Sequence, residues 1–267
     1  MEQQDVFGVR GRTFVILGAG QGIGHAAATA FASAGARLVC VDREPSLAEG
    51  VARHVGGLAA TGDVTNRADV RRIFAEAANW AGGRLAGAID IVGIADVRPV
   101  VEFDDAGWDR QFDLVLRHVF LTMQESLPHL DRDSSLVFVS SLAGHRVCAN
   151  QAVYGAAKAA LDQLVRGAAV EFGPKGVRVN AVAPGFVRTP RLNAALSEEF
   201  WTELKSYIPT GSAAEPEDIA GPLLFLSSRL ARNINGVVLA VDGGVSVAAA
   251  LPKIPLKGQA TQTRETS

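Results

Sequence analysis

Short apolar runs recur along this chain. Each gives way to a longer segment in which apolar positions return every three to four residues. Thr13–Leu17 and residues 38–41 are almost free of polar side chains, as strands buried on both faces are. Between them, residues 22–34 are rich in alanine and read as a helix, closed at the far end by Gly35. The alternation continues with strands at 58–64, 85–92, 136–140, 177–182 and 237–241. Helices are expected at 68–80, 106–130, 154–172 and Pro216–Ser227, the last opening on the acidic pair Glu217-Asp218, which suits a helix N-terminus. Strands alternating with helices predict an α/β protein: a doubly wound parallel sheet of about seven strands with helices on both faces. No linker or internal repeat divides residues 1–250, which are expected to form a single domain. The polar tail at 251–267 has no pattern and is expected to be mobile.

The first strand leaves through LGAGQGIG, Leu17 to Gly24. Glycines between a strand and a helix let an anion approach the unpaired N–H groups of the helix start, because no Cβ stands in the way. Gly18, Gly22 and Gly24 fit that use for a pyrophosphate, although tight turns also take glycine. Asp42 ends the second strand, 18 residues after Gly24. There a carboxylate accepts ribose hydroxyls and repels a 2′-phosphate, favouring NAD over NADP. Asp42 also reads as a solvated turn residue, and the neighbouring Arg43 softens the exclusion.

Tyr154 and Lys158 stand one turn apart on one helix face. A nearby ammonium stabilises a phenolate, which equips a tyrosine for proton transfer. Ser141, 13 residues upstream at a strand end, is placed to bond the same substrate oxygen. Taken singly, each also reads as a surface pair or a turn cap.

The spacing G-x-x-x-G-x-G, the Asp63-Val64 pair, Tyr154-Gly-Ala-Ala-Lys158, Asn180-Ala-Val-Ala-Pro-Gly185 and Val241-Asp-Gly-Gly244 together resemble the classical short-chain dehydrogenases/reductases. The resemblance runs from about Gly11 to Val245. It implies a Rossmann-type fold and a catalytic set of Ser141, Tyr154 and Lys158. Tyr154 would be the acid/base, Ser141 would polarise the oxygen, and Lys158 would hold the nicotinamide ribose. It also implies cofactor contacts at Gly18, Gly20, Gln21, Gly22, Ile23, Gly24, Asp42, Arg43, Asp63 and Val64. Further contacts are implied at Asp90, Gly93, Tyr154, Lys158, Pro184, Gly185, Val187 and Thr189. Ala95, Ser141, Leu142, His145, Tyr154 and Phe186 would face the substrate. A homotetramer, or at least a dimer, is implied too, with the helices from Ala106 and Tyr154 across one interface. The final strand and the helix from Pro216 would form the other.

Three positions depart from the family's pattern. Leu17 replaces a structural threonine. Asp90-Ile-Val-Gly93 replaces Asn-Asn-Ala-Gly, so a buried carboxylate there needs partners, with nearby backbone N–H groups as candidates. Val115 falls where the family places a catalytic asparagine that holds a water for proton relay. Either the relay is rewired or the enzyme is slow.

The expected pocket lining also includes Ile94, Val97, Val147, Cys148, Leu192, Phe200 and Trp201, the last three on an amphipathic lid helix at 191–206. Those aromatics are equally candidates for core or subunit contacts. The lining suggests a mainly apolar alcohol or ketone, with cyclic ones among the candidates. Arg98, Arg146 and Arg191 offer a carboxylate or phosphate site, or simple solvation. With a net charge of −2 among 267 residues, no basic footprint for nucleic acid or an anionic membrane emerges. Two cysteines, Cys40 and Cys148, are too few for a disulfide framework, and no cluster has metal-ligand spacing. The N-terminus lacks a signal-peptide pattern, so a cytoplasmic address is expected. The expected activity is NAD(H)-dependent interconversion of a secondary alcohol and a ketone. A biosynthetic ketoreductase and an NAD-binding subunit without turnover are the alternatives.

Overall fold

The computed structural model describes residues 5–248; the expected mobile tail lies outside the described residues. The chain runs β1 (Thr13–Leu17), α1 (Ile23–Ser33), β2 (Arg37–Asp42), α2 (Pro45–Val55), β3 (Leu58–Thr61) and α3 (Arg67–Ala81). It continues through β4 (Leu85–Asp90), α4 (Asp105–Phe112), α5 (His118–Ser126), β5 (Leu130–Val139) and α6 (Ala152–Phe172). Then come β6 (Val177–Pro184), α7 (Pro190–Ala195), α8 (Glu198–Leu204), α9 (Pro216–Ser227) and β7 (Val238–Val241). Seven strands form one sheet in the order β3-β2-β1-β4-β5-β6-β7, and every pairing is parallel.

Strand β1 explains the two layers. All five of its residues are buried, and alternate side chains point to opposite faces. Val15 and Leu17 join a core with Ile73 of α3, Val119 of α5 and Leu161 of α6. Phe14 and Ile16 join the other core with Phe31 of α1, Val51 of α2 and Leu223 of α9. A continuous apolar run is what such a strand requires.

Several boundaries differ from the expectations. Helix α2 has no counterpart among the expected elements, because its buried face is mostly small: Ala48, Val51 and Ala52. The third strand ends at Thr61 rather than at 64. The single helix expected over 106–130 is broken: a π-helical turn at Asp113–Arg117 separates α4 from α5, and Leu127–His129 forms a 3-10 turn around Pro128. The expected lid helix is two short helices, with Ser197 capping the second through the Phe200 N–H at 3.3 Å. A third small core under this lid holds Trp201, Leu204 and Ile208 against Phe186, Leu192 and Phe200.

Candidate active site

The sheet order reverses direction between β1 and β4, which opens a crevice at the carboxyl ends of those strands. Gly18 leaves β1 with φ +82°, its N–H donating to the Val41 carbonyl at 2.9 Å. Gly22 precedes α1 with φ +53° and has no side chain to cap the helix, so the N–H groups of the first turn remain open. A Cβ on Gly24 would lie 1.9 Å from the Gly18 carbonyl oxygen, so only glycine lets the helix start this close to the strand. These features border a cleft of about 700 Å³. Gly18, Gln21, Gly22, Ile23, Asp42, Arg43, Asp63, Val64, Gly93 and Thr189 all line it. The implied dinucleotide fits this arrangement: a helix N-terminus without side chains for phosphate, and a carboxylate at the far end.

That carboxylate is fixed. Asp42 Oδ2 accepts the Gly20 N–H and Oδ1 the Glu44 N–H, each at 3.1 Å. Gly20 therefore stands behind the cleft rather than in it, and a Cβ there would sit 2.5 Å from Asp42 Oδ2. Arg43 points outward, 4.0 Å from Glu44, with 72% of its side chain exposed. Asp63 sits at the rim, where its Oδ1 accepts the Thr65 N–H at 2.8 Å. Pro184, Gly185 and Val187 continue from the end of β6, and the Gly185 N–H donates to the Val241 carbonyl of β7 at 3.1 Å. Thr189 caps α7 through the Leu192 N–H at 3.3 Å.

Ser141, Tyr154 and Lys158 meet beyond Gly93. Ser141 follows β5 and accepts the Ala143 N–H at 3.2 Å. Lys158 is buried and donates to the Val139 carbonyl at 2.7 Å. Its Nζ packs against Gly93, where a Cβ would come within 3.1 Å. The Nζ lies 5.8 Å from the centre of the Tyr154 ring. Burial brings the Lys158 amine down to about 8, against the opposing pull of Asp90 and Asp162. Burial likewise pushes the Tyr154 phenol up, opposed by a hydrogen bond with Ser141 and reinforced by Cys148. The lowering of Tyr154 expected from its lysine neighbour is not found: the phenol is raised by desolvation, and the Lys158 amine donates to a carbonyl instead.

The expected substrate residues are not all alike. Leu142 is buried, and Ala95 is half-buried in the loop after β4. Phe186 packs on Phe200 at 5.7 Å between ring centres, within the lid core. The His145 ring is engaged: its Nε2 is 3.3 Å from Asp162 Oδ2. Of the three arginines, Arg98 pairs with Asp96 and lies over Phe103, and Arg146 donates to the Ser246 carbonyl. Arg191 lines the cleft.

Leu17, Asp90 and Val115, where the chain departs from the family's pattern, are all buried. Asp90 is 2% exposed at the end of β4. Its Oδ1 accepts the Val92 N–H at 3.2 Å, the kind of backbone partner expected. Its Oδ2 meets His118 Nδ1 and the Thr122 hydroxyl, each at 3.0 Å. His118 and Thr122, both buried on α5, escape sequence reasoning. The available signal is their spacing of four residues, which puts both polar groups on one otherwise apolar helix face. Val115 is fully buried inside the π-helical turn and offers no polar atom.

A family model described as enoyl-(acyl carrier protein) reductase matches residues 18–246. The chain belongs to the short-chain dehydrogenases/reductases. It is 34% identical over 253 residues to galactitol 2-dehydrogenase (L-tagatose-forming) of Cereibacter sphaeroides, covering 92% of this chain and 100% of that protein. It is 37% identical over 244 residues to cis-4-hydroxycyclohexanecarboxylate dehydrogenase of Sinomonas cyclohexanicum, covering 87% and 96% respectively. A solved short-chain dehydrogenase/reductase from Brucella melitensis, titled glucose/ribitol dehydrogenase, superposes with a TM-score of 0.85 at 33% identity, covering 90% of this chain and 98% of that one. The chain is accordingly an alcohol/ketone oxidoreductase of a family that works with a nicotinamide cofactor.

Proposed function

We propose that this protein is an NAD(H)-dependent oxidoreductase that interconverts a secondary alcohol and a ketone through Ser141, Tyr154 and Lys158. The single observation that carries the reading is the convergence of these three side chains: Ser141 bonds Tyr154, and Lys158 packs between the Tyr154 ring and Gly93 of the glycine-lined cleft. The nicotinamide ring, when bound, accepts or supplies the hydride. In oxidation, Tyr154 takes the hydroxyl proton while the carbinol carbon gives up its hydride; in reduction, Tyr154 returns a proton to the carbonyl oxygen. Ser141 donates to that oxygen and orients it. Lys158, held by the Val139 carbonyl against Gly93, would hold the nicotinamide ribose, and its amine lies 5.8 Å from the centre of the Tyr154 ring.

Asp42 supports NAD over NADP. Its carboxylate is anchored by two backbone N–H groups and cannot swing away from a 2′-phosphate. The glycine turn with Gln21 and Ile23, together with Asp63, Val64 and Thr189, would hold the rest of the dinucleotide. The half-buried Phe186 and Phe200 support a mainly apolar substrate, and the cyclohexane relative makes a cyclic one a natural first probe. No described helix is long and apolar enough to cross a membrane. We place the enzyme in the cytoplasm, as a homotetramer of a chain whose residues 1–250 act as one domain.

Val115 favours one rival reading, a dinucleotide-binding subunit without turnover. A panel of cyclic, aromatic, steroidal and acyl ketones, offered with NADH and NADPH in parallel, separates the two. The expected result is product with NADH, lost in Tyr154→Phe while NADH still binds. Product with NADPH alone would refute the role given to Asp42. Binding of NADH with no product from any ketone would favour the rival.

A further inference from the structure

The side chains around Lys158 include a buried pair that the proposed reaction does not use. Asp90 ends β4 opposite Phe138 of β5, and the next residue, Val139, carries the carbonyl that holds Lys158. Gly93, three residues beyond Asp90, packs against the Lys158 Nζ as well, so the lysine head sits at the β4 end of the sheet. The Asp90 carboxylate is pinned on three sides, by the Val92 N–H, the Thr122 hydroxyl and His118 Nδ1. His118 is 1% exposed, and its Nε2 has no hydrogen-bond partner among the described residues. A ring that donates its Nδ1 proton to the carboxylate satisfies this geometry. The π-helical turn before α5 brings Val115 and His118 to the same inner face, so the family's asparagine position and this histidine share one bend.

We propose that Asp90 and His118 form a buried positioning dyad that supports the Lys158 ammonium from the end of β4, a task in which the valine at position 115 can take no part. His118 orients Asp90; Asp90 acts through Lys158 and touches neither substrate nor cofactor. The inference rests on the reading of Lys158 given above. Burial of an amine favours its neutral form, and a carboxylate nearby opposes that. Asp90 supplies this opposition from β4, and Asp162 supplies it from α6 itself. Tyr154 is the other titratable group on the lysine's helix face. Asp162 in turn faces His145 and Arg166, so its charge is shared among other partners. Asp90 has only His118 and Thr122 as side-chain partners among the described residues.

The test reads Lys158 directly, without substrate or turnover. The chain holds five lysines, so lysine labelled with ¹³C at Cε gives a short set of signals, and Lys158→Arg assigns the one of interest. Its titration midpoint is followed by NMR in the full-length protein. In Asp90→Asn, which removes the charge and keeps one acceptor oxygen in place of two, the midpoint should fall by about one pH unit, a tenfold change in proton affinity. In His118→Leu it should fall in the same direction, because Asp90 loses the donor that aims it at the lysine. The double variant should fall no further than Asp90→Asn alone. Circular dichroism confirms folding, and the His118 variant serves if Asp90→Asn does not fold. A midpoint that stays put in Asp90→Asn, or single shifts that simply add, would overturn the dyad. Absence of turnover in the wild type would leave this readout intact, so it fails separately from the proposed reaction.

Discussion

Lys158 concentrates the chemistry of the site into one ionisation. A buried amine brought down to about 8 gives up its proton in the folded chain while the unfolded chain, nearer the ordinary 10.5, still holds it. The sign follows from linkage. Below about 8 both states bind the proton and the cost of burying the charge is fully present. As pH rises through that value, only the unfolded state keeps its proton, so the folded state gains. Lys158→Met removes this contribution. Urea unfolding at pH ~7.5 and ~9.5, at fixed protein concentration, should show wild type gaining about 2 kcal/mol relative to the variant. Parallel behaviour of the two would mean that Lys158 is not desolvated as described. Cys40, pushed up to about 12 by burial, works in the opposite direction, but it is common to both proteins and cancels in the comparison.

At the scale of elements, the lid is separable from the sheet. Trp201 is 1% exposed and packs with Leu204, Ile208 and Phe200 in a core of its own, with Arg188 lying 4.8 Å over its ring. Trp201→Ala should cost about 3 kcal/mol within that core. Because α7 and α8 lie outside the two sheet cores, the loss should appear as faster hydrogen exchange over 190–208 while β1 and β5 stay protected. Equal loss of protection throughout would show that the lid and sheet open as one unit. The sheet is legible in the sequence because each buried strand is a continuous apolar run, and the turn after β1 because Gly18, Gly22 and Gly24 have steric reasons to be glycine. Helix α2 and the break inside 106–130 are not legible. Alanine marks a buried face weakly, and a π-helical turn inserts a residue without any proline or glycine at Asp113–Arg117. Position 90 announces a buried carboxylate in need of partners, but His118 lies 28 residues away and only the packing of α5 against β4 joins them.

The whole molecule carries apolar surface that a lone chain would leave wet. Trp108 on α4 is 46% exposed and stacks on Phe112, Phe120 on α5 is 41% exposed, and Val170 on α6 is 77% exposed. These helices are the ones expected to cross one subunit interface, and β7, at the sheet edge, is half-open for the other. Light scattering should give four copies of the 28.0 kDa chain, and Trp108→Glu with Val170→Glu should reduce that to dimers. A wild-type monomer across working concentrations would refute the assembly.

In the proposed reaction, Tyr154 moves a proton while hydride passes between a substrate carbon and NAD(H). Reduction of a ketone that the wild type accepts is run with NADH carrying deuterium at both C4 positions, and the product is read by mass spectrometry. One deuterium on the carbinol carbon is expected with the wild type, and no labelled product with Tyr154→Phe. Unlabelled alcohol from the wild type, or labelled alcohol formed equally well by Tyr154→Phe, would contradict the proposed reaction.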